Sequence, residues 1–110
     1  MQSIKESDWK RFKEVHPLAL ERYCAQSVGE IGYLLSDKTK TALERFWDVE
    51  EATRRRAKET RNLFDDYRRS TALMQLGAMR HRKLVSDEEM ARFSAETRET
   101  VERMLSIARE

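Results

Sequence analysis

The spacing of apolar residues predicts that helices occupy most of the chain. From residue 20 to residue 35, apolar side chains recur every three or four positions, which places them on one face of a helix. This stripe consists of Leu20, Cys24, Val28, Ile31 and Leu35. We expect the stripe to face the core of the protein. Gly29 and Gly32 interrupt the same helix, and the close approach of another helix would explain both glycines.

A proline interrupts the pattern before this stripe. Ser7 or Asp8 can cap a first helix that begins near the N-terminus. Pro17 cannot donate a backbone hydrogen bond to Lys13, and its ring disfavours a helical conformation at His16. The sequence leaves two alternatives open, a kink in one helix or a second helix that begins at Pro17. In both cases we expect His16 to mark a turn.

A long helix is predicted in the middle of the chain. Thr41 and Glu44 have the spacing of a capping box, which begins a helix. Apolar residues follow at positions 43–49, but positions 50–62 contain only two, both alanines. If the helix continues to Phe64 it is about 36 Å long, whereas a compact protein of this size is about 26 Å across. The middle of this helix therefore either protrudes or is covered along a narrow stripe of small residues.

Further helices are predicted in the C-terminal half. Asp65 or Asp66 can cap a third helix, Ser86 matches a second capping box, and Ser94 can cap the last helix. The inner face of the last helix is expected to consist of Val101, Met104, Leu105 and Ala108. Short connections favour antiparallel neighbours. The sequence predicts an all-α single domain over residues 1–110, a bundle of about five to six helices around one long central helix.

The composition supports this fold class and narrows the cellular setting. Charged residues make up 38% of the chain, against about 25% in a typical protein, and three Gly and one Pro offer few turns for a β-rich fold. No apolar run approaches the roughly 20 residues that cross a bilayer, and no export signal is visible. Cys24 is the only cysteine, which fits a reducing compartment. We expect a cytoplasmic protein that does not enter a membrane.

The residue types required for known catalytic and metal sites do not occur at the required spacings. A di-iron bundle needs Glu-x-x-His pairs, but the residues three positions before His16 and His81 are Lys13 and Ala78. Cys24 lies within the apolar stripe, where a cysteine acts as a small buried hydrophobe. Neither a phosphate-binding glycine-rich loop nor a Gly-x-Ser-x-Gly motif is present. We therefore expect no enzymatic activity, no metal and no cofactor.

The distribution of charge is the most informative feature of the sequence. Residues 54–83 contain ten basic and three acidic residues, a net charge of +7 within a chain whose total is +2. Such a cluster can bind a phosphate backbone. However, Glu50 and Glu51 precede basic residues by four positions, the order that favours ion pairs on a helix surface. No aromatic residue alternates with the arginines to stack on bases.

A non-enzymatic interaction or accessory protein is the function that these observations favour, with self-association as a homodimer. A long polar helix flanked by Trp47 and Phe64 can cross a second copy of itself in a symmetric dimer. The basic stretch can also meet the acidic C-terminal helix, in the same chain or in another. The residues expected at the partner surface are Arg54, Arg55, Arg56, Arg68 and Arg69. The alternative is a nucleic-acid- or ribosome-associated factor that uses the basic stretch 54–83.

Three stretches of the chain resemble a group of short, uncharacterised bacterial proteins that are entirely helical. They are Leu20-Glu21-Arg22-Tyr23-Cys24, the segment from Asp65 to Leu73, and the segment from Asp87 to Ser94. Some members of the group are labelled peptide chain release factors. Release factors hydrolyse the peptidyl ester through a Gly-Gly-Gln loop, and no Gly-Gly pair occurs in this sequence. The resemblance implies a helical fold, and it transfers neither an activity nor site residues.

Overall fold

A computed structural model describes residues 4–109, and all the regular structure within that range is α-helical. The five helices are α1 (Glu6–Ser36), α2 (Ala42–Phe64), α3 (Arg69–His81), α4 (Asp87–Met90) and α5 (Ala95–Arg109). The predicted all-α fold class is therefore confirmed. α1 and α2 form an antiparallel hairpin, and α3, α4 and α5 pack at the end of the hairpin that is formed by the start of α1 and the end of α2.

α1 runs without a break through Pro17 and is the longest helix, with 31 residues. Neither a second helix nor a turn begins at the proline, so the expected turn at His16 is wrong. His16 is buried, and its Nε2 donates a hydrogen bond to the backbone oxygen of Phe64 over 3.1 Å. That carbonyl belongs to the last residue of α2 and has no partner within its own helix. The contact of His16 with the end of α2 thus anchors α1 to α2 next to the position where the proline removes a helical hydrogen bond.

Side-chain caps begin three of the helices. Thr41 Oγ1 accepts a hydrogen bond from the Glu44 amide, and Glu44 accepts one in return from the Thr41 amide, as the sequence predicts. Ser86 begins α4 in the same way, and Ser94 Oγ accepts from the Thr97 amide at the start of α5. The cap predicted at Asp65 or Asp66 is wrong. α3 begins at Arg69 without a side-chain cap, and the Asp66 carboxylate pairs with Arg68 instead.

The core lies between the first half of α1, the end of α2 and helices α3 to α5. Its largest fully buried side chains are Tyr23, Phe12, Leu76, Met79, Leu84, Val101 and Asp8. α3 and α5 approach most closely at Gly77, where a Cβ atom would lie 2.5 Å from Met104 Sδ. A Cβ atom at Gly29 or Gly32 would meet nothing within 4 Å, so the helix expected to approach those two glycines is absent from the described residues.

The far half of the hairpin projects from this core. The molecule measures 52 × 27 × 24 Å, with a radius of gyration of 16.7 Å, against about 13 Å for a compact protein of this length. Glu30 is one of the residues of α1 that meet α2 there. The predicted apolar stripe is rotated away from α2, and Val28 and Leu35 are 70% and 55% exposed. The expectation that the whole stripe faces the core is wrong, because no third helix from the described residues covers this end.

Candidate functional site

Exposed apolar side chains concentrate at the projecting end of the hairpin. Within the described residues, ten large hydrophobic side chains are exposed, and six of them lie between positions 28 and 47, which we call the hairpin tip. The six are Val28, Tyr33, Leu35, Leu43, Phe46 and Trp47. Scattered apolar residues on a surface are ordinary, but their concentration at one end of the hairpin makes this end a candidate site for binding another molecule.

Two adjacent aromatic residues dominate the α2 side of the tip. The rings of Phe46 and Trp47 contact each other edge to face, with centroids 5.2 Å apart. Both are more than half exposed, and they lie in the first two turns of α2, which the capping box at Thr41 and Glu44 stabilises. The aromatic pair is therefore presented to solvent by a fixed piece of backbone, an arrangement suited to anchoring a partner.

A network of charged and aromatic side chains fixes the base of the hairpin. Tyr23 Oη donates to Glu59 over 2.7 Å, and this hydrogen bond together with the one from Arg82 holds the pKa of the Glu59 carboxyl below its usual range. Arg82, which directly follows α3, donates to the same carboxylate over 2.7 Å. The guanidinium groups of Arg56 and Arg82 lie 5.2 and 5.8 Å from the centre of the Tyr23 ring. Three helices are thus joined at one tyrosine.

Two of the arginines predicted at the partner surface belong to this internal network. Arg55 and Arg56 each bond to a different oxygen of Glu30 on α1, both over 2.6 Å. The hydrogen bond from Arg56, together with the one from Arg55, lowers the pKa of Glu30. The side chain of Arg56 is only 20% exposed. These two residues hold α2 against α1, a role that their place in a basic run did not reveal.

The other three predicted residues are exposed but also paired. Arg54 pairs with Glu50 one turn away, and Arg68 with Asp66 over 2.6 Å. Arg69 pairs with Glu6 over 2.5 Å and lies over the Trp9 ring. The five arginines therefore occupy two places, the middle of α2 and the link between α2 and α3. None of their ion pairs within residues 4–109 reaches the acidic helix α5.

The side of α2 that faces away from α1 is a second exposed surface. We call it the outer α2 face and define it by Glu44, Trp47, Glu51, Arg54, Lys58 and Arg61. Since each residue turns a helix by about 100°, the centre of this face lies about 150° around the helix from the centre of the buried or paired Ala52, Arg56 and Leu63. An open depression of about 760 Å³ runs along the face and is lined by Trp47, Glu50, Glu51, Arg54, Arg55, Lys58 and Arg61.

Apart from Glu44, whose carboxylate accepts from the Thr41 amide in the cap of α2, three charged residues of the outer α2 face have no ion pair within residues 4–109. They are Glu51, Lys58 and Arg61. All three are exposed, whereas most of the surrounding arginines are bonded to acids of the same chain. This face therefore offers unpaired charge of both signs beside the exposed Trp47.

Two buried titratable groups lie far from the tip and serve the fold. Asp8 accepts hydrogen bonds from the Ser94 amide, the Ser94 hydroxyl and the Thr97 hydroxyl over 2.8, 2.7 and 2.8 Å. Burial raises the pKa of Asp8, but these bonds outweigh it and bring the pKa below the usual value. Burial also lowers the pKa of His16, so the ring is neutral at pH 7. The cap predicted at Ser7 or Asp8 is wrong, because α1 begins at Glu6 without a side-chain cap and Asp8 lies inside the helix.

Nothing in the described part of the chain supplies a metal centre or a membrane span. No three potential ligands among His, Cys, Asp and Glu come together within residues 4–109. Over the same residues, no helix combines the length and the apolar character needed to cross a bilayer. Comparisons of the chain with protein-family models, with curated proteins and with solved structures give no match.

Proposed function

We propose that this protein is a non-enzymatic interaction protein that self-associates through the α1–α2 hairpin, as a homodimer in the bacterial cytoplasm. One observation carries the proposal, which is the concentration of exposed apolar side chains at the hairpin tip. Each of these side chains gains about 25 cal/mol per Å² of apolar surface when a partner covers it. A second copy is always available as a partner, and symmetric dimers are the commonest oligomers.

The sequence-based idea of two crossing helices needs one revision in this proposal. Trp47 is exposed and can contact a second copy, but Phe64 is buried in the core of its own chain and cannot. The apolar part of the interface therefore lies at one end of α2 rather than at both. Of the five arginines first expected at the interface, only Arg54 belongs to the outer α2 face, where its side chain is 73% exposed.

Light scattering coupled to gel filtration tests the proposal. The wild-type chain is expected to dimerise, and Phe46→Glu is expected to be monomeric because it places a charge within the apolar cluster. Ile107→Glu is the matched control, since Ile107 is 71% exposed at the opposite end of the described chain. The control should dimerise like the wild type. A wild-type chain that stays monomeric at all concentrations would overturn the proposal, as would equal loss of dimer in both variants.

Binding of a nucleic-acid backbone or the ribosome by the stretch 54–83 is the second candidate, favoured by Lys58 and Arg61. These exposed residues have no acidic partner within residues 4–109. The pairing of most other arginines in the stretch weakens this candidate. Titration with duplex DNA and RNA at low and physiological salt tests it, because phosphate contacts make affinity fall steeply with salt. Absence of binding at low salt would reject it.

A further inference from the structure

Charge is ordered along the outer α2 face. Its six positions, residues 44, 47, 51, 54, 58 and 61, follow one another at alternating intervals of three and four, the spacing of the seam in a coiled coil. The acids Glu44 and Glu51 lie in the first half of this seam, and the bases Arg54, Lys58 and Arg61 lie in the second half. When two copies of this face lie side by side in opposite directions, the acidic half of each lies opposite the basic half of the other.

We propose that α2 pairs with α2 of a second copy in antiparallel orientation and in one defined register, an inference that rests on the self-association proposed above. In this register Glu44 meets Arg61 of the second copy, Trp47 meets its Lys58, and Glu51 meets its Arg54. The two-fold symmetry repeats each pair, so six layers of contact form. The overlap from residue 44 to residue 61 extends over about 26 Å.

The charges exclude the parallel orientation. Two parallel copies in register would place each residue beside its own twin, so that Glu51, Arg54 and Lys58 would each meet a like charge. Like charges in contact across an interface are strongly unfavourable. The antiparallel arrangement also places the positive end of one helix dipole beside the negative end of the other.

The charges also select one antiparallel register. Coiled-coil packing allows shifts by a whole heptad. A shift in one direction brings Arg54 against Lys58 of the second copy, twice by symmetry, and a shift in the other direction brings Lys58 against Lys40. Lys40 lies just before α2 and is bonded to Asp48, so the second shift also reduces the overlap within α2 to four layers. Only the proposed register combines six α2 layers with no like charges in contact. Charge of this kind fixes orientation and register more than affinity.

Affinity comes from the aromatic and aliphatic residues at the two ends of the overlap. Lys58 of the second copy can lie over the Trp47 ring, a favourable contact between a cation and an aromatic face. Leu43 and Phe46 flank Trp47 and are both exposed, and they can pack on the aliphatic parts of the long basic side chains. The α2 part of the hairpin tip of each copy is thus covered by the second half of α2 of the other.

Charge reversal at one layer gives a specific test by light scattering and sedimentation. Glu51→Arg sets two arginines against each other in both symmetric layers, and Arg54→Glu sets two acids against each other there. Each variant alone should therefore dimerise at least about tenfold more weakly, a change of about 1.4 kcal/mol. A mixture of the two variants sets an arginine of one variant against a glutamate of the other in both layers, so a heterodimer should form more tightly than either homodimer. The double variant E51R/R54E restores opposite charges in both layers and should recover as a homodimer.

Matched controls and a distance measurement complete the test. Glu99→Arg and Arg98→Glu make the same charge changes on the exposed surface of α5 and should leave the dimer intact. Circular dichroism checks that each variant remains helical. Nitroxide labels on Asn62→Cys, in a Cys24→Ser background, measure orientation without any charge reversal, because the proposed register separates the two labels by about 29 Å along the helix axes.

The possible outcomes separate this inference from the function on which it rests. A wild-type monomer would overturn both. A wild-type dimer that resists both single reversals, or a double variant that does not recover, would overturn the register and leave self-association standing. Labels at position 62 that lie side by side would show a parallel pair and would also overturn it.

Discussion

The two ends of the α1–α2 hairpin are built from similar residues but have opposite environments. At the core end, Phe12 and Tyr23 are completely buried beneath helices α3 to α5. At the tip, Phe46 and Trp47 are more than half exposed, although they follow a well-capped helix start. Local helix signals are better at the tip, since α1 begins at the core end without a side-chain cap and contains Pro17. The difference shows that coverage by helices α3 to α5, rather than the strength of the local helix signals, decides which aromatic residues form a core and which remain available to a partner.

The largest expected effect comes from truncating one phenylalanine at each end. Phe12→Ala should lower the free energy of unfolding by about 3–5 kcal/mol, the usual cost of a cavity in a packed core. Phe46→Ala should change it by less than about 0.5 kcal/mol in the monomer, since the ring has few neighbours to lose. Urea denaturation at concentrations that keep the chain monomeric measures both. Similar losses in the two variants would erase the contrast between the ends.

Asp8 provides the next largest effect, again at the core end. Asp8→Ala removes a buried carboxylate that joins α1 to the start of α5 and leaves three donors without an acceptor. We expect a loss of about 2–3 kcal/mol, typical of hydrogen bonds to a buried charge. Glu14→Ala, which breaks an exposed ion pair with Arg11, is the control and should cost at most about 0.5 kcal/mol. Thermal unfolding of both variants at pH 7 makes the comparison.

Acid should destabilise the core end in two ranges of pH. Burial lowers the pKa of His16 below its usual value of 6.5. Below about pH 6.5 the unfolded chain therefore binds a proton at this residue more readily than the folded chain, and the free energy of unfolding falls. Bonds from Arg22, together with bonds to Ser86, lower the pKa of Glu89 from 4.5 to about 2. The stability from Glu89 is therefore present above pH 4.5 and is lost between pH 4.5 and about 2.

The variants Glu89→Gln and His16→Gln separate these two ranges. Glu89→Gln should cost about 1–2 kcal/mol at pH 7, because its partner Arg22 is partly exposed and the pair is partly screened. The Glu89 variant should also lose less free energy of unfolding than the wild type between pH 4.5 and about 2. His16→Gln should reduce only the loss that begins below about pH 6.5. Chemical denaturation at a series of pH values gives the curves. An unchanged slope in the Glu89 variant would show that the ion pair is not formed.

The smallest expected effect compares glycines at the two ends. Gly29→Ala and Gly32→Ala lie in α1 near the tip, where a methyl group meets nothing within 4 Å. Each should raise the free energy of unfolding by about 0.5–1 kcal/mol through helix propensity. Gly77→Ala should not show this gain, since its methyl group would collide with Met104 Sδ. Equal gains at all three positions would contradict the close packing of α3 on α5.

Much of the fold could be predicted from the sequence, because capping residues and the spacing of apolar residues indicate where helices begin and end. The capping boxes at Thr41 and Ser86 and the end of α2 at Phe64 are where the residue patterns indicated, because caps depend on neighbours three positions apart. The continuity of α1 through Pro17 could not be predicted in this way. At this position α1 is packed on the end of α2, where His16 bonds to Phe64, 48 residues away, and such a tertiary contact has no signal in the local sequence.

The candidate site was predictable only in part. A long polar helix that presents Trp47 to a second copy follows from sequence periodicity, but the pairing of Arg55 and Arg56 with Glu30 does not, because that acid lies on another helix. The same holds for the exposure of Val28 and Leu35, whose spacing is that of a core stripe. Periodicity shows that residues share a face, and only tertiary packing shows whether anything covers it.

Quenching of Trp47 fluorescence as a function of protein concentration tests the central claim most directly. In a Trp9→Phe background, Trp47 is the only tryptophan of the chain, and its exposed ring should be readily quenched by acrylamide in dilute solution. We expect quenching to fall as the concentration rises and a second copy covers the hairpin tip, with the midpoint at the dimer dissociation constant. Quenching that stays high while light scattering reports a dimer would contradict the account.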